Sequence, residues 1–228
     1  CTPDNSIEVL KKVIDKYPNR KCNTCIINNE TNLGIAGVRN ILLDKAKGNF
    51  FLFVDSDDYI DHDMIEKMYE SIIAEKADIA VCDFIIEWQN VNKIFYQNIN
   101  ANKTKAINSL LRMDTMPGLP NKLIRLSLIK DNNLLFHKDM NVGEDYMLMP
   151  KLFYYASKVI KVEKTFYHYI QTNSSSYTKN FSIENIKSII YALDELTRFF
   201  ESKQDYNLYK YSILQGKLRK KIEIIFNF

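Results

Sequence analysis

The sequence predicts an α/β protein with a mostly parallel sheet flanked by helices and a helical extension at its C-terminus. Three observations carry this. Helix-type and strand-type apolar patterns alternate from Ser6 to Phe84, the rhythm of βαβ units. The run Phe50-Phe-Leu-Phe-Val54 has no polar alternation, as expected of a strand covered on both faces. From Ser182 onward the chain reads as helix, rich in Tyr, Phe and Ile.

The elements follow in order. Ile7, Leu10, Val13 and Ile14 share one helical face over Ser6 to Tyr17, and Pro18 follows as a stop signal. Cys25 to Asn28 reads as a short strand, and Ala36 to Ala46 as a helix after Gly34. Gly48-Asn49 is a turn before the Phe50 strand. Met64 to Lys76 is a helix with Ile65, Met68, Tyr69, Ile72 and Ile73 inward, and Ile79 to Phe84 is a strand. Residues 85–100 change to mixed aromatic and polar texture, an antiparallel excursion. Helices are expected at Lys105 to Met113, Leu123 to Lys130 and Gly143 to Tyr155, and strands at Val159 to Val162 and Thr165 to Ile170. Asn173 to Ser176 is a loop, and Gly216 marks an interruption in the C-terminal helical region. The domains expected are 1–176 and a helical extension, 177–228.

Composition narrows the function. The 228 residues hold 31 basic and 28 acidic side chains, a net charge of +3, which gives no nucleic-acid signal. No apolar run reaches the length of a membrane span. Cys22-Asn-Thr-Cys25 has knuckle spacing without a second pair, so the cysteines read as reduced and structural, which fits a cytoplasmic protein. His62 and His137 read as surface residues.

Chemistry concentrates where the Phe50 strand ends. Asp55, Asp57 and Asp58 follow it with only Ser56 between. Ligands of open α/β sheets sit outside the carboxyl ends of the strands, and crowded carboxylates favour a hard divalent cation, Mg²⁺ or Mn²⁺. Helix capping by Asp57, Asp58 or Asp61 explains one such acid but not three.

Several stretches together resemble a bacterial family 2 glycosyltransferase of the GT-A fold: NLGIAGVRN (32–40), KGNFFLFVDSDD (47–58), NKLIRLSLIKDNNLLF (121–136), GEDYMLMPKLF (143–153) and YHYIQTNSSS (167–176). Their order and spacing are more specific than Asp-x-Asp alone. The resemblance covers about residues 1–176 and implies a nucleotide-diphospho-sugar transferase with a Rossmann-like sheet. It would move a sugar from a nucleotide-diphosphate donor to a hydroxyl of a saccharide or lipid-linked saccharide, inverting the anomeric carbon, in cell-surface polysaccharide synthesis. By resemblance Asp57 is the metal ligand and Asp55 lies near the donor's ribose or the metal. Arg39, Asn32 and Gly34 belong to the donor pocket, and Asp145, preceded by Glu144, takes the proton from the acceptor. His168 is a candidate to complete the metal shell. Relatives carry an Arg just after it, whereas this chain reads Tyr167-His-Tyr169-Ile170-Gln171. By comparison about forty residues of the family's fold precede Cys1, so Asp4 is not assigned a role.

Other classes fit parts of the pattern. A haloacid-dehalogenase-type phosphatase also places Asp-x-Asp after a strand, but Tyr59 stands where it needs Thr or Val. A non-catalytic nucleotide-sugar-binding relative would keep the donor site alone. Lys217-Leu-Arg-Lys-Lys221 beside Ile222, Ile224 and Ile225 reads as a helix packed on the domain with a solvated basic side. The alternative is peripheral contact with the inner face of the membrane.

Overall fold

The computed structural model describes residues 4–138, 140, 142–171 and 182–227. The expected loop 173–176 lies outside them. The chain forms two compact units, Cys1–Gly34 and Ile35–Phe228.

In the first unit, α1 (Ser6–Asp15) is followed by α2 (Pro18–Lys21). Pro18 therefore opens a short helix as well as ending the previous one; its fixed φ suits the first helical position. The strand expected at Cys25 to Asn28 does not form; these residues belong to none of the described strands. Two consecutive isoleucines are too short a signal to specify a strand. Cys22 and Cys25 are free and exposed, so they fill no core there, while the free Cys82 is buried.

The second unit is built on a mixed sheet ordered β1-β5-β3-β6-β2, with β4 also on β3. The strands are β1 (Phe50–Phe51), β2 (Tyr59–Ile60), β3 (Ile79–Glu87), β4 (Asn92–Phe95), β5 (Lys122–Arg125) and β6 (Val159–Ile170). Only β3 and β6 pair in parallel among these strands; the other ladders are antiparallel. This corrects the expected pairing pattern within the α/β class. The Phe50 strand is likewise shorter than expected and half-buried, at one end of the order. Expected helix 123–130 divides into β5 and α6 (Leu126–Asp131). The two strands expected at 159–162 and 165–170 join as β6, with the register slipping opposite Cys82 to Phe84.

Strand β3 shows why the sequence lacks polar alternation. Ile79 and Val81 enter one core, and Ala80, Cys82 and Phe84 enter another on the opposite face. Helix α4 (Met64–Ala74) covers the second core through Met64, Met68 and Ile72, each fully buried. Ile65, Tyr69 and Ile73 are exposed instead of inward. Both triplets follow i, i+4 spacing, and the packed ridge is the one a residue earlier.

The first core is closed by α3 (Gly34–Lys45), α5 (Lys103–Leu111), α6, α7 (Glu144–Tyr155) and the C-terminal α8 (Ile183–Glu201) and α9 (Lys210–Asn227). Leu193, Leu196, Phe200 and Ile213 bring the last two helices into that core. Gly216 does not interrupt α9. It lets the helix approach α5: a Cβ there would run into the Leu111 carbonyl oxygen and lie 2.8 Å from the Tyr146 hydroxyl. The opposite face of α9 exposes Tyr211, Leu214, Leu218 and Ile222. No described helix is long and apolar enough to cross a membrane.

Candidate functional site

A cleft of about 960 Å³ opens in the second unit, and Asp55, Asp57, Glu144 and Asp145 all line it. Two acidic motifs 90 residues apart (145 − 55) thus face one space. Arg39 joins them. It projects from α3 with a side chain only 5% exposed, its Nη1 2.8 Å from Glu144 Oε1 and 2.6 Å from Asp145 Oδ1, its Nη2 3.5 Å from Asp55 Oδ1. Its guanidinium lies over the rings of Phe53 and Phe136, 5.4 and 5.7 Å from their centroids, a favourable cation–π setting. Asn40 fixes one wall of that slot: its amide donates to the Phe136 carbonyl and accepts from the Phe136 N–H.

The turn after β1 is held by its own acids. Asp58 N–H bonds to the Asp55 carbonyl. The Tyr167 hydroxyl donates to Asp58 Oδ2 at 2.5 Å and accepts from the Asp55 N–H at 3.2 Å, while Ile170 N–H donates to Asp58 Oδ1. Burial raises the Asp58 carboxyl against these bonds. Asp58 is therefore the anchor of the turn, which leaves Asp57 exposed on the cleft wall. The residue before α4 is Asp63, whose side chain makes no capping bond, so capping accounts for none of Asp57, Asp58 or Asp61.

Glu144 and Asp145 occupy the first turn of α7. Gly143 precedes them with φ +85°, a left-handed conformation that suits glycine. Glu144 is 8% and Asp145 21% exposed. Burial, then the neighbouring Asp145, pushes the Glu144 carboxyl up to about 7 against the pull of Arg39. Burial also raises Asp145, opposed by Arg39 and by the Leu119 N–H, which donates to Asp145 Oδ2 at 3.3 Å. Burial would lower the Arg39 guanidinium, but Asp145, Glu144 and Asp55 raise it. One cation thus serves three acids, so Arg39's donors are directed at carboxylates.

His168 stands apart from this group and does not line the cleft. Its Nδ1 is 2.6 Å from Glu87 Oε1, its Nε2 3.2 Å from Asp61 Oδ1, and its ring stacks on Tyr59. In the first unit, Asn32 Oδ1 accepts from the Gly34 N–H, a local turn bond. Sequence reasoning missed Tyr167 and Lys122. Lys122 lay inside a quoted motif, Asn121-Lys122-Leu123, which was its available signal.

No three His, Cys, Asp or Glu side chains among the described residues converge on a metal position. A hard cation that also meets phosphates needs only one or two carboxylates. Asp55 and Asp57, on the cleft wall, fit that smaller demand.

Residues 1–132 match the family described as Glycosyl transferase family 2. The chain is similar to poly(ribitol-phosphate) beta-N-acetylglucosaminyltransferase TarS of Staphylococcus aureus (strain Mu50 / ATCC 700699), 29% identical over 171 residues, 74% of this chain and 28% of the relative. It is also similar to the cholesterol galactosyltransferase of Borreliella burgdorferi, 28% identical over 229 residues, 93% of this chain and 62% of the relative. The crystal structure of S. aureus TarS 1–349 in complex with UDP-GlcNAc superposes with a TM-score of 0.73 at 21% identity, over 90% of this chain and 56% of that one. This likeness shows the GT-A fold. The chain spans less than two thirds of the length of each of these relatives.

Proposed function

The chain belongs to glycosyl transferase family 2, and on that premise we propose that it transfers a sugar from a nucleotide-diphosphate donor to an acceptor hydroxyl with inversion. The carrying observation is the shared cleft: Asp55 and Asp57 on one element, Asp145 on another, and Arg39 between them. Asp57, with Asp55, would hold Mn²⁺ or Mg²⁺, and such an ion supplies Lewis-acid neutralisation of the diphosphate as it leaves. Asp145 accepts the acceptor hydroxyl's proton as its oxygen attacks. Its position at the N-terminus of α7 and its bond from Leu119 N–H favour the carboxylate, while burial restores basicity. Glu144, less exposed, has its carboxyl pushed up to about 7 by burial and by the neighbouring Asp145, while Asp55 is the acid whose charge raises Asp145. Arg39 keeps these acids together and acts on the donor through Asp55.

The UDP-GlcNAc complex of TarS supports a UDP-sugar donor, and that relative's poly(ribitol-phosphate) activity supports a cell-wall polymer acceptor. The exposed α9 stripe of Tyr211, Leu214, Leu218 and Ile222, with Lys221 exposed beside it, is the feature behind contact with an anionic membrane surface on the cytoplasmic side; Lys217 is paired with Asp194 of α8. The test is calorimetric titration of the full-length protein with UDP-GlcNAc, with and without Mn²⁺, followed by an assay for released UDP. Metal-dependent binding and turnover are expected; binding without turnover under any acceptor would leave only a sugar-nucleotide receptor.

A further inference from the structure

Lys122 is the first residue of β5 and is completely buried. A lysine ammonium out of water is costly unless paired, yet its hydrogen bonds are to neutral oxygens: the Met116 carbonyl at 3.2 Å, Asn121 Oδ1 at 2.7 Å and the Gly118 carbonyl. Met116 and Gly118 lie in the segment that lines the cleft beside Asp145. Between that pair of carbonyls and Lys122 in the chain sits Leu119, whose N–H is the one on Asp145 Oδ2. Asn121 extends the clamp into the sheet, its Nδ2 donating to the Cys82 carbonyl at 2.6 Å.

We infer that Lys122 is a positioning residue for Asp145: its ammonium gathers the 116–118 carbonyls, holds the Leu119 amide on the carboxylate, and places a positive charge behind it. The inference rests on Asp145 as the base. The charged or titratable groups facing Asp145 are Arg39 from α3, Asp55 from the turn after β1, Lys122 from β5 and its neighbour Glu144; those facing Lys122 are Asp145 and Cys82. Burial lowers the Lys122 ammonium to about 8, against the pull of Asp145 and Cys82, so it is charged at neutral pH.

The experiment follows UDP release from UDP-GlcNAc, with water or sugar as acceptor, by the full-length wild type and Lys122→Met between about pH 5 and 9. Loss of position and field is expected to lower kcat by at least about tenfold and to move the acid limb of kcat/KM to higher pH, because a carboxylate without that cation protonates more easily. The Kd for UDP should stay within about twofold, a smaller change than the loss in kcat. An unmoved limb with unchanged kcat overturns the inference, as does a Kd that weakens in step with kcat. Should the variant not fold, the wild type decides: its kcat should fall on the alkaline side through pH about 8 while UDP affinity does not, and a flat profile overturns it. A wild type releasing no UDP at any pH sinks the donor reading instead, and this inference falls with it.

Discussion

Arg39→Met tests the electrostatic centre of the site. The substitution keeps the length of the stem and removes the one cation shared by Glu144, Asp145 and Asp55. Deleting one partner of a buried ion pair costs about 3–5 kcal/mol. For a chain of this size each kcal/mol lowers Tm by roughly 2–4 °C, so a loss of roughly 6–20 °C is expected near pH 8. Acid relieves the penalty. The Glu144 carboxyl sits at about 7 in the folded protein, above its ordinary value, so protonation favours the fold: this contribution is complete below the ordinary carboxylate range and is lost as pH rises through about 7. Without Arg39 that carboxyl rises further. At pH about 5.5 Glu144 is neutral, and the Tm loss should shrink to about half. Thermal melts by circular dichroism at both pH values read this directly. Equal losses at the two pH values, or none at pH 8, would refute the reasoning, because they would mean that Glu144 and Asp145 do not depend on the guanidinium.

Gly216→Ala should destabilise by at least about 1–3 kcal/mol through overpacking, since its Cβ meets the Leu111 carbonyl and the Tyr146 hydroxyl; an unchanged urea midpoint would show that α9 does not sit so close. Asp57→Ala should abolish Mn²⁺-dependent UDP-GlcNAc binding in calorimetry while leaving Tm nearly unchanged, as expected for an exposed side chain. Asp145→Asn should keep donor binding and lower turnover by about 10²–10⁴-fold; loss of donor affinity in that variant would remove Asp145 from the role of base.

What the sequence made legible was local. Asp55-Ser-Asp57-Asp58 at a strand end and Glu144-Asp145 at a helix start are patterns within a few residues of chain, and both meet in the cleft. Pairings between distant segments were less readable. The apolar run Phe50 to Val54 cannot reveal that its first two residues pair antiparallel with Ile124 and Arg125. In α4 two apolar ridges lie one residue apart, and periodicity alone does not say which meets the sheet. The motif drew attention to Lys122, but its burial was unreadable for a different reason: a lysine ordinarily stays in water, and the oxygens of Met116, Gly118 and Asn121 make its burial possible. His168 between two tyrosines was a candidate for the metal shell although such a histidine is more often a packed or edge residue of a strand, and Glu87 with Asp61 occupies its nitrogens.

The guanidinium of Arg39 reaches carboxylates 16, 105 and 106 positions further along the chain. No local fragment contains its full set of counter-ions, so the residue completes its environment only when the second unit has closed. Closure of the second unit and assembly of this catalytic charge set therefore coincide. A chain trapped short of that closure would carry adjacent like charges without relief, and a catalytic assay on this protein would double as a measure of how much of the sample has finished folding.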